Sequence, residues 1–216
     1  MRPVRTVLVG LTLLAAAVPV RAQVVGLPVT NSGIFTGLGI RGEAGFANSD
    51  YPKGTTYGIT GILGTGPFGV TATYASYNPE AAGDNISSYG GTANLRVFGG
   101  GLSPFSATFQ VGYGHAKIAG TGYDHLPVGV GFAFKIPTPV LSLKPWVAPR
   151  ADVQHGQFGG VDKETKTKFG VSAGVEFSLL SGFGGQVSYD WVDQGGGLKP
   201  GIWGVGLQWV FKVPGL

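Results

Sequence analysis

The sequence contains no cysteine, so it has neither a disulfide framework nor thiolate chemistry. Its one methionine is Met1. Charge is scarce, at 12% of residues. No clustered basic stripe is present of the kind a nucleic-acid footprint requires, and nucleic acid is excluded as a partner. Beyond residue 22 no stretch approaches roughly eighteen uninterrupted apolar residues, which excludes helical membrane spans. Glycine, by contrast, is abundant: 40 of 216 residues, against a usual share of about 7%. A hydrophobic content of 43% with 12% aromatics does not fit a disordered chain. A closed β-barrel is the remaining way for such a chain to cross a bilayer with every backbone group paired.

The N-terminus supports export. Arg2 and Arg5 precede a charge-free run from Val7 to Val20, and Val20-Arg21-Ala22 follows. This three-part pattern predicts a secretory signal peptide over 1–22, cleaved after Ala22. The apolar run is shorter than the roughly 20 residues of a spanning helix. Three of the fifteen basic residues, Arg2, Arg5 and Arg21, lie in that stretch, and no acid does. Twelve bases then face eleven acids, so the basic balance belongs largely to the signal. The rest of the chain has the length of one domain.

That remainder reads as ten segments with a period of two, which is the pattern of a strand with one face to lipid and one to a lumen. Leu38, Ile40, Ala44 and Phe46 alternate with Gly39, Arg41 and Glu43. Phe68, Val70, Ala72 and Tyr74 alternate with Gly69, Thr71 and Thr73. The same holds near Tyr89–Val97, Phe105–Tyr113, Val128–Lys135, Trp146–Gln154, Phe169–Phe177, Gln186–Trp191 and Trp203–Phe211; Thr56–Leu63 is the weakest segment. The expected fold is all-β, an antiparallel transmembrane barrel of ten strands, with eight as the alternative count. A soluble barrel would turn its apolar face inward. Here the opposing face is glycine, serine, threonine and charge, too small for a dry core.

The connections fall into two classes. Gly64–Pro67, Gly99–Pro104, Pro137–Pro139 and Ser181–Gly182 read as compact Gly/Pro turns. The links Asn48–Gly54, Asn78–Asn85, Lys117–Asp124, Gly156–Lys166 and Gln194–Lys199 read as longer polar loops. Short turns on one side and long loops on the other typify outer-membrane barrels. An even strand count places both termini on the periplasmic side. Tyr57, Tyr74, Tyr77, Tyr89, Tyr113, Tyr123 and Tyr189 gather near the long loops, and phenylalanines such as Phe68, Phe105 and Phe211 near the short turns. Two interfacial girdles would look like this. The expected organisation is a signal over 1–22, a periplasmic N-terminal segment over 23–33, the barrel over 34–212 and a tail over 213–216.

The signal, the Gly/aromatic alternation and the closing strand Trp203–Phe211 resemble the small outer-membrane β-barrel domain family, whose superfamily takes in opacity-type proteins and the transmembrane domain of outer membrane protein A. The resemblance covers the chain after the signal and is architectural. It implies a bacterial outer-membrane location, contact with outer-membrane lipid and lipopolysaccharide, delivery by the barrel assembly machinery, and a monomer. Such families end on an aromatic residue, whereas here Lys212-Val213-Pro214-Gly215-Leu216 follow Phe211. No catalytic motif of the family maps onto the sequence.

Three groups could carry chemistry. The lumen-facing charges Arg41, Arg96, Lys135 and Arg150 oppose Glu43, Asp152, Glu176 and Asp190. They suit a paired network that fills a narrow interior, since unpaired buried charge is costly; a polar solute path is the other reading. Arg150 is expected to contact at least one of Asp152, Glu176 and Asp190. His115, His125 and His155 fall at strand ends near the long loops, where they could converge on a metal or a hydrolytic pair; plain surface histidines are the default, with no metal or cofactor expected. Val161–Lys168 is the one dense charge run and reads as a solvated loop. The function expected is a non-enzymatic outer-membrane barrel with a structural or surface-interaction role and a charge-plugged lumen. A narrow channel for small solutes or ions is the alternative, and a membrane-embedded lipid-modifying hydrolase ranks third.

Overall fold

The structure, a computed structural model, describes residues 24–48, 53–80, 83–100, 103–118, 120–157, 163–193 and 200–211. The expected signal peptide with its cut after Ala22, and the tail together with Lys212, lie outside these residues.

Ten long strands build the molecule. They are β1 (Gly37–Ala47), β2 (Gly54–Thr65), β3 (Phe68–Pro79), β4 (Ile86–Gly99), β5 (Phe105–Ile118), β6 (Thr121–Phe134), β8 (Leu141–Gln157), β9 (Lys163–Leu179), β10 (Phe183–Val192) and β11 (Gly201–Phe211). A two-residue ladder, β7 (Ile136–Pro137), pairs with the start of β8. Every long strand runs antiparallel to its neighbours, β11 pairs with β1, and β6 pairs with β8 past the short ladder. The sheet closes on itself, which removes the open edges that a membrane does not tolerate. No described helix is long and apolar enough to cross a membrane.

The period-two reading holds along the strands; Lys135, assigned inward by the same alternation, lies past the end of β6 and is exposed. Leu38 and Trp203 are 51% and 54% exposed on the outside, while Arg41 and Arg150 are each 5% exposed on the inside. A chain that exposes its large apolar residues and buries its charges has lipid outside and a polar interior. One irregularity interrupts β4: the register shifts between Arg96 and Phe98, so Val97 and Phe98 both end on the outer surface. Such a bulge places two residues opposite one and re-aims the strand near the barrel rim.

Several expectations about the links are corrected. Lys117 pairs with Gly122 and Ile118 with Thr121, so the link read as a long loop over Lys117–Asp124 is a tight hairpin. Most of Val161–Lys168, read as a solvated loop, is the first turn-ward part of β9, paired with Asp152 to Gln157 of β8; residues 161 and 162 lie outside the described residues. Two of the tyrosines assigned to the outer girdle, Tyr77 and Tyr123, point inward. Both are odd-numbered, and the parity of β3 and β6 puts odd residues in the lumen.

The largest correction concerns residues 24–36. They are not a periplasmic lead-in. They run inside the barrel from the long-loop end, where Val25 bonds Ser88, to the short-turn end, where the chain reverses at Thr36 into β1. Residues 34–36, counted above as barrel wall, belong to this inner segment. Both ends of the strand set do lie at the short turns, but residue 24 lies at the opposite end. Val25 and Val29 pack with Tyr77, Ala116, Ile118, Tyr123 and Ile202 into an apolar cluster under the long loops. Val24 and Leu27 pack on Ala75. The interior thus acquires the dry core its wall could not make alone.

Candidate functional site

The site is the lumen, and two structures fill it: a charge network on the wall and the inner segment bound to that network.

Arg150, near the middle of β8, is the hub. Its Nε lies 3.0 Å from Asp152 Oδ1 and its Nη2 donates to Asp190 Oδ1 at 2.7 Å. A third donor reaches Ser172 Oγ. Residues 150 and 152 share a face because they are two apart on one strand, and Asp190 arrives from β10 across β9. A guanidinium fork can satisfy two carboxylates in this way. His125 Nε2 lies 2.9 Å from the same Asp152 oxygen, and both side chains are fully buried. The expected contact between Arg150 and an acid is present twice; Glu176 is not among its partners.

Glu176 instead receives Lys144 Nζ at 2.8 Å and the Ser32 hydroxyl at 2.6 Å. Arg41 donates to Gln208 Oε1 at 2.9 Å and lies 3.6 Å from Glu43. Glu43 also accepts from Thr60 at 2.6 Å and from Gln186 at 3.1 Å. The network read as four against four is therefore corrected at two places. Arg96 donates to the Ile34 carbonyl at 3.4 Å rather than to an acid. Lys135 follows the end of β6 and is exposed at the short-turn mouth. Lys144, on β8, takes the place in the network that alternation assigned to Lys135.

The inner segment is held by this wall along its length. The Val29 amide donates to Asp190 Oδ2 at 3.1 Å, Thr56 donates to the Val25 carbonyl at 3.2 Å, and Gln110 donates to the Thr30 carbonyl at 2.9 Å. Asn31 donates to the Thr108 carbonyl at 3.0 Å. At the short-turn end the Phe35 ring lies 4.7 Å from Lys144 Nζ and 5.9 Å from the Arg41 guanidinium carbon, in cation–π range. The wall makes room with glycine. A Cβ on Gly45 would lie 1.9 Å from the Gly26 carbonyl oxygen, one on Gly64 1.8 Å from that of Phe35, and one on Gly131 2.2 Å from that of Asn31. Part of the glycine excess is thus a groove for a backbone.

The segment does not fill the lumen completely. A crevice of about 50 Å³ separates it from β2–β5. Facing it, Thr60 bonds Thr73 at 2.9 Å, Thr71 bonds Thr92 at 2.8 Å, Asn94 donates to Thr92 at 2.8 Å and Gln110 donates to Asn94 at 3.0 Å. At the short-turn end a wider cavity of about 430 Å³ opens, lined by Ser32, Phe35, Arg96, Lys135, Lys144 and Glu176 among others.

The histidines do not converge. His125 faces the lumen, whereas His115 and His155 lie on the outer face, where their strands pair them with Asp124 from either side. His115 Nδ1 lies 2.9 Å from Asp124, Tyr113 donates to the same carboxylate at 2.6 Å, and His155 Nδ1 lies 2.9 Å from the Thr165 hydroxyl. Adjacent residues on one strand face opposite ways, so odd His125 and even Asp124 could never share a face. Among the described residues no group of three or more His, Cys, Asp or Glu is arranged to hold a metal ion.

Sequence reasoning named His125 without placing it in the lumen, and it missed Lys144 and the whole inner segment. For His125, extending the odd inward parity of Gly129, Gly131 and Ala133 past Pro127 would have found it. The segment had a weaker signal: the apolar run Val24-Val25-Gly26-Leu27-Pro28-Val29 just after the expected cleavage point.

No curated protein matches the chain. The β-domain of the Bordetella autotransporter BrkA superposes with a TM-score of 0.51 at 12% identity, covering 81% of this chain and 99% of that one. Neisserial surface protein A gives 0.42 at 15% identity, covering 82% and 98%. The N-terminal barrel domain of Pseudomonas aeruginosa OprF gives 0.42 at 13%, covering 82% and 98%. At 12% identity the likeness to the BrkA β-domain speaks to fold alone. The family model of the outer membrane protein beta-barrel domain matches residues 10–211. A closed antiparallel barrel with an apolar outside, a charged inside and this match over most of its length belongs to the outer membrane protein beta-barrel domain family, and its place is the bacterial outer membrane.

Proposed function

We propose that this protein is a closed outer-membrane barrel that acts structurally or through its long-loop end at the cell surface, and not as an open pore or an enzyme. The observation that supports this is the inner segment: residues 24–36 run the length of the lumen and are bonded to Ser88, Asp190, Thr108 and Glu176 on four strands. Barrels of about eight strands are filled by their own side chains, while those of sixteen hold water. With ten strands and a glycine-lined wall, this barrel has space for one extended peptide and supplies it from its own chain. In this reading it works as a monomer, inserted by the barrel assembly machinery, with its tyrosine-rich rim against lipopolysaccharide. The test is planar-bilayer recording of the purified, folded protein, with silence expected. Sustained discrete conductance steps from the unaltered chain would overturn the closed reading.

A further inference from the structure

Two features of the wall are out of keeping with a permanent filling. First, Val24, Val25, Leu27 and Val29 pack on apolar wall residues, but elsewhere the wall of the lumen carries unsatisfied polar atoms. Gln186 Oε1, Ser188 Oγ and Thr108 Oγ1 are buried and have no hydrogen-bond partner. A buried polar atom left unpaired costs about 1–3 kcal/mol, which water or a polar solute would relieve. Second, the crevice beside the segment is faced by a hydroxyl and amide track in two bonded runs, Glu43–Thr60–Thr73 and Thr71–Thr92–Asn94–Gln110. Its volume of about 50 Å³ already has room for roughly three waters. A wall meant only to hold a permanent filling would not leave this polar track facing a crevice.

The attachment of the segment is also suited to movement. It joins the barrel covalently only at Thr36, between Gly33 and Gly37, which have φ of 106° and 120°. Glycine adopts such angles freely and can leave them as freely. The remaining anchors are single hydrogen bonds, the cation–π contacts of Phe35 and the two apolar clusters.

We infer that residues 24–36 are a displaceable gate, and that behind them lies a narrow path for small hydrophilic solutes. The inference rests on the closed reading above and adds a second state to it. The mouth at the short turns sets the preference among solutes. Arg96, Lys135 and Lys144 line it against the single acid Glu176, which Lys144 already neutralises. The surplus is positive, so small anions enter more readily than cations.

The experiment compares four folded proteins in planar bilayers in potassium chloride, each first checked for heat-modifiable gel migration. They are the unaltered chain, a deletion of residues 24–33, a full-length Val25→Glu variant, and a double Leu27→Cys, Ala75→Cys variant. The last is closed by a short thiol cross-linker, which a cysteine-free background makes specific. The deletion and Val25→Glu are expected to show discrete steps that the unaltered chain lacks, with a reversal potential displaced toward that of chloride. The cross-linked protein is expected to stay silent even when Val25→Glu is added. If the deletion fails to fold, Val25→Glu and its cross-linked form decide the question. Folded but silent variants would overturn the gate and leave the closed barrel standing. Steps of equal size and frequency in all four proteins would overturn both readings, and potassium selectivity would overturn the assignment of the solute.

Discussion

Asp190 joins the gate to the wall: one of its carboxylate oxygens takes the Arg150 guanidinium at 2.7 Å and the other takes the Val29 amide at 3.1 Å. It is one of the acids read from the sequence as part of a lumen network, and it turns out to have a second partner that no strand supplies. Asp190→Ala should therefore do two things at once. It leaves Arg150 with Asp152 alone and frees the Val29 amide. Asp190→Asn keeps an acceptor for the amide and loses only the charge. The expected order of thermal stability is unaltered, then Asn, then Ala. Equal midpoints for Asn and Ala would mean that the Val29 bond contributes nothing.

Arg150→Ala removes the partner of two buried carboxylates. Breaking a buried ion pair from one side costs roughly 3–5 kcal/mol where the site is dry. The structure places Asp152 and Asp190 at 0% and 1% side-chain exposure, so the full cost is expected. Urea titration of the folded barrel in detergent should show the loss. A change below about 1 kcal/mol, as for exposed pairs, would mean that water fills the lumen around Arg150.

The two histidine environments make a matched comparison. His125 is fully buried against Asp152, whose Oδ2 already lacks a partner. His125→Ala should destabilise by about 2–4 kcal/mol through lost packing and a less satisfied carboxylate. His115 pairs with a partly exposed Asp124 on the outer face. His115→Ala should cost no more than about 1 kcal/mol. Reversal of this order would contradict the placement of His125 in the lumen.

The contrast shows what the sequence made legible. Alternation along a strand needs only local information, and Arg41, Arg150, Asp152, Glu176 and Asp190 were all assigned to the correct face from it. Partners across strands depend on register, which local pattern does not carry. Hence Glu176 stood among three candidate partners of Arg150 although its own partner is Lys144, and Lys135 was drawn into a network it only borders. The inner segment is harder still. It has no periodic pattern because it is neither strand nor helix, and its bonds span up to 161 residues. Its complement was nevertheless visible as glycine on the inward face, read as an absence of core when it is room for a backbone.

The outer face offers a check on the membrane orientation. Val205 lies mid-strand on β11, pairs with Ala44 and Val187, and is exposed to the outside. Val205→Lys puts a charge against lipid at mid-depth, at a cost of about 2–4 kcal/mol. The neighbouring Gly206 faces inward near Arg41 and Glu43. Folding yield into bilayers of defined thickness should fall for Val205→Lys. An unchanged yield would place β11 elsewhere than against hydrocarbon.

Gly45 and Gly42 lie on the same strand and test the groove directly. A methyl group on Gly45 would sit 1.9 Å from the Gly26 carbonyl oxygen, while one on Gly42 meets nothing within 4 Å. Backbone cannot give way as a flexible side chain can, so Gly45→Ala must shift the inner segment. Overpacking of this kind costs about 1–3 kcal/mol. Gly42→Ala should be neutral or slightly stabilising, since alanine restricts the unfolded chain more than glycine does. Deletion of residues 24–33 removes the atom that Gly45→Ala collides with. In that background Gly45→Ala should lose its cost, and the double-mutant cycle should show a coupling of about the same 1–3 kcal/mol. A cost that persists after the deletion would mean that Gly45 is required by the strand itself and not by the peptide it faces.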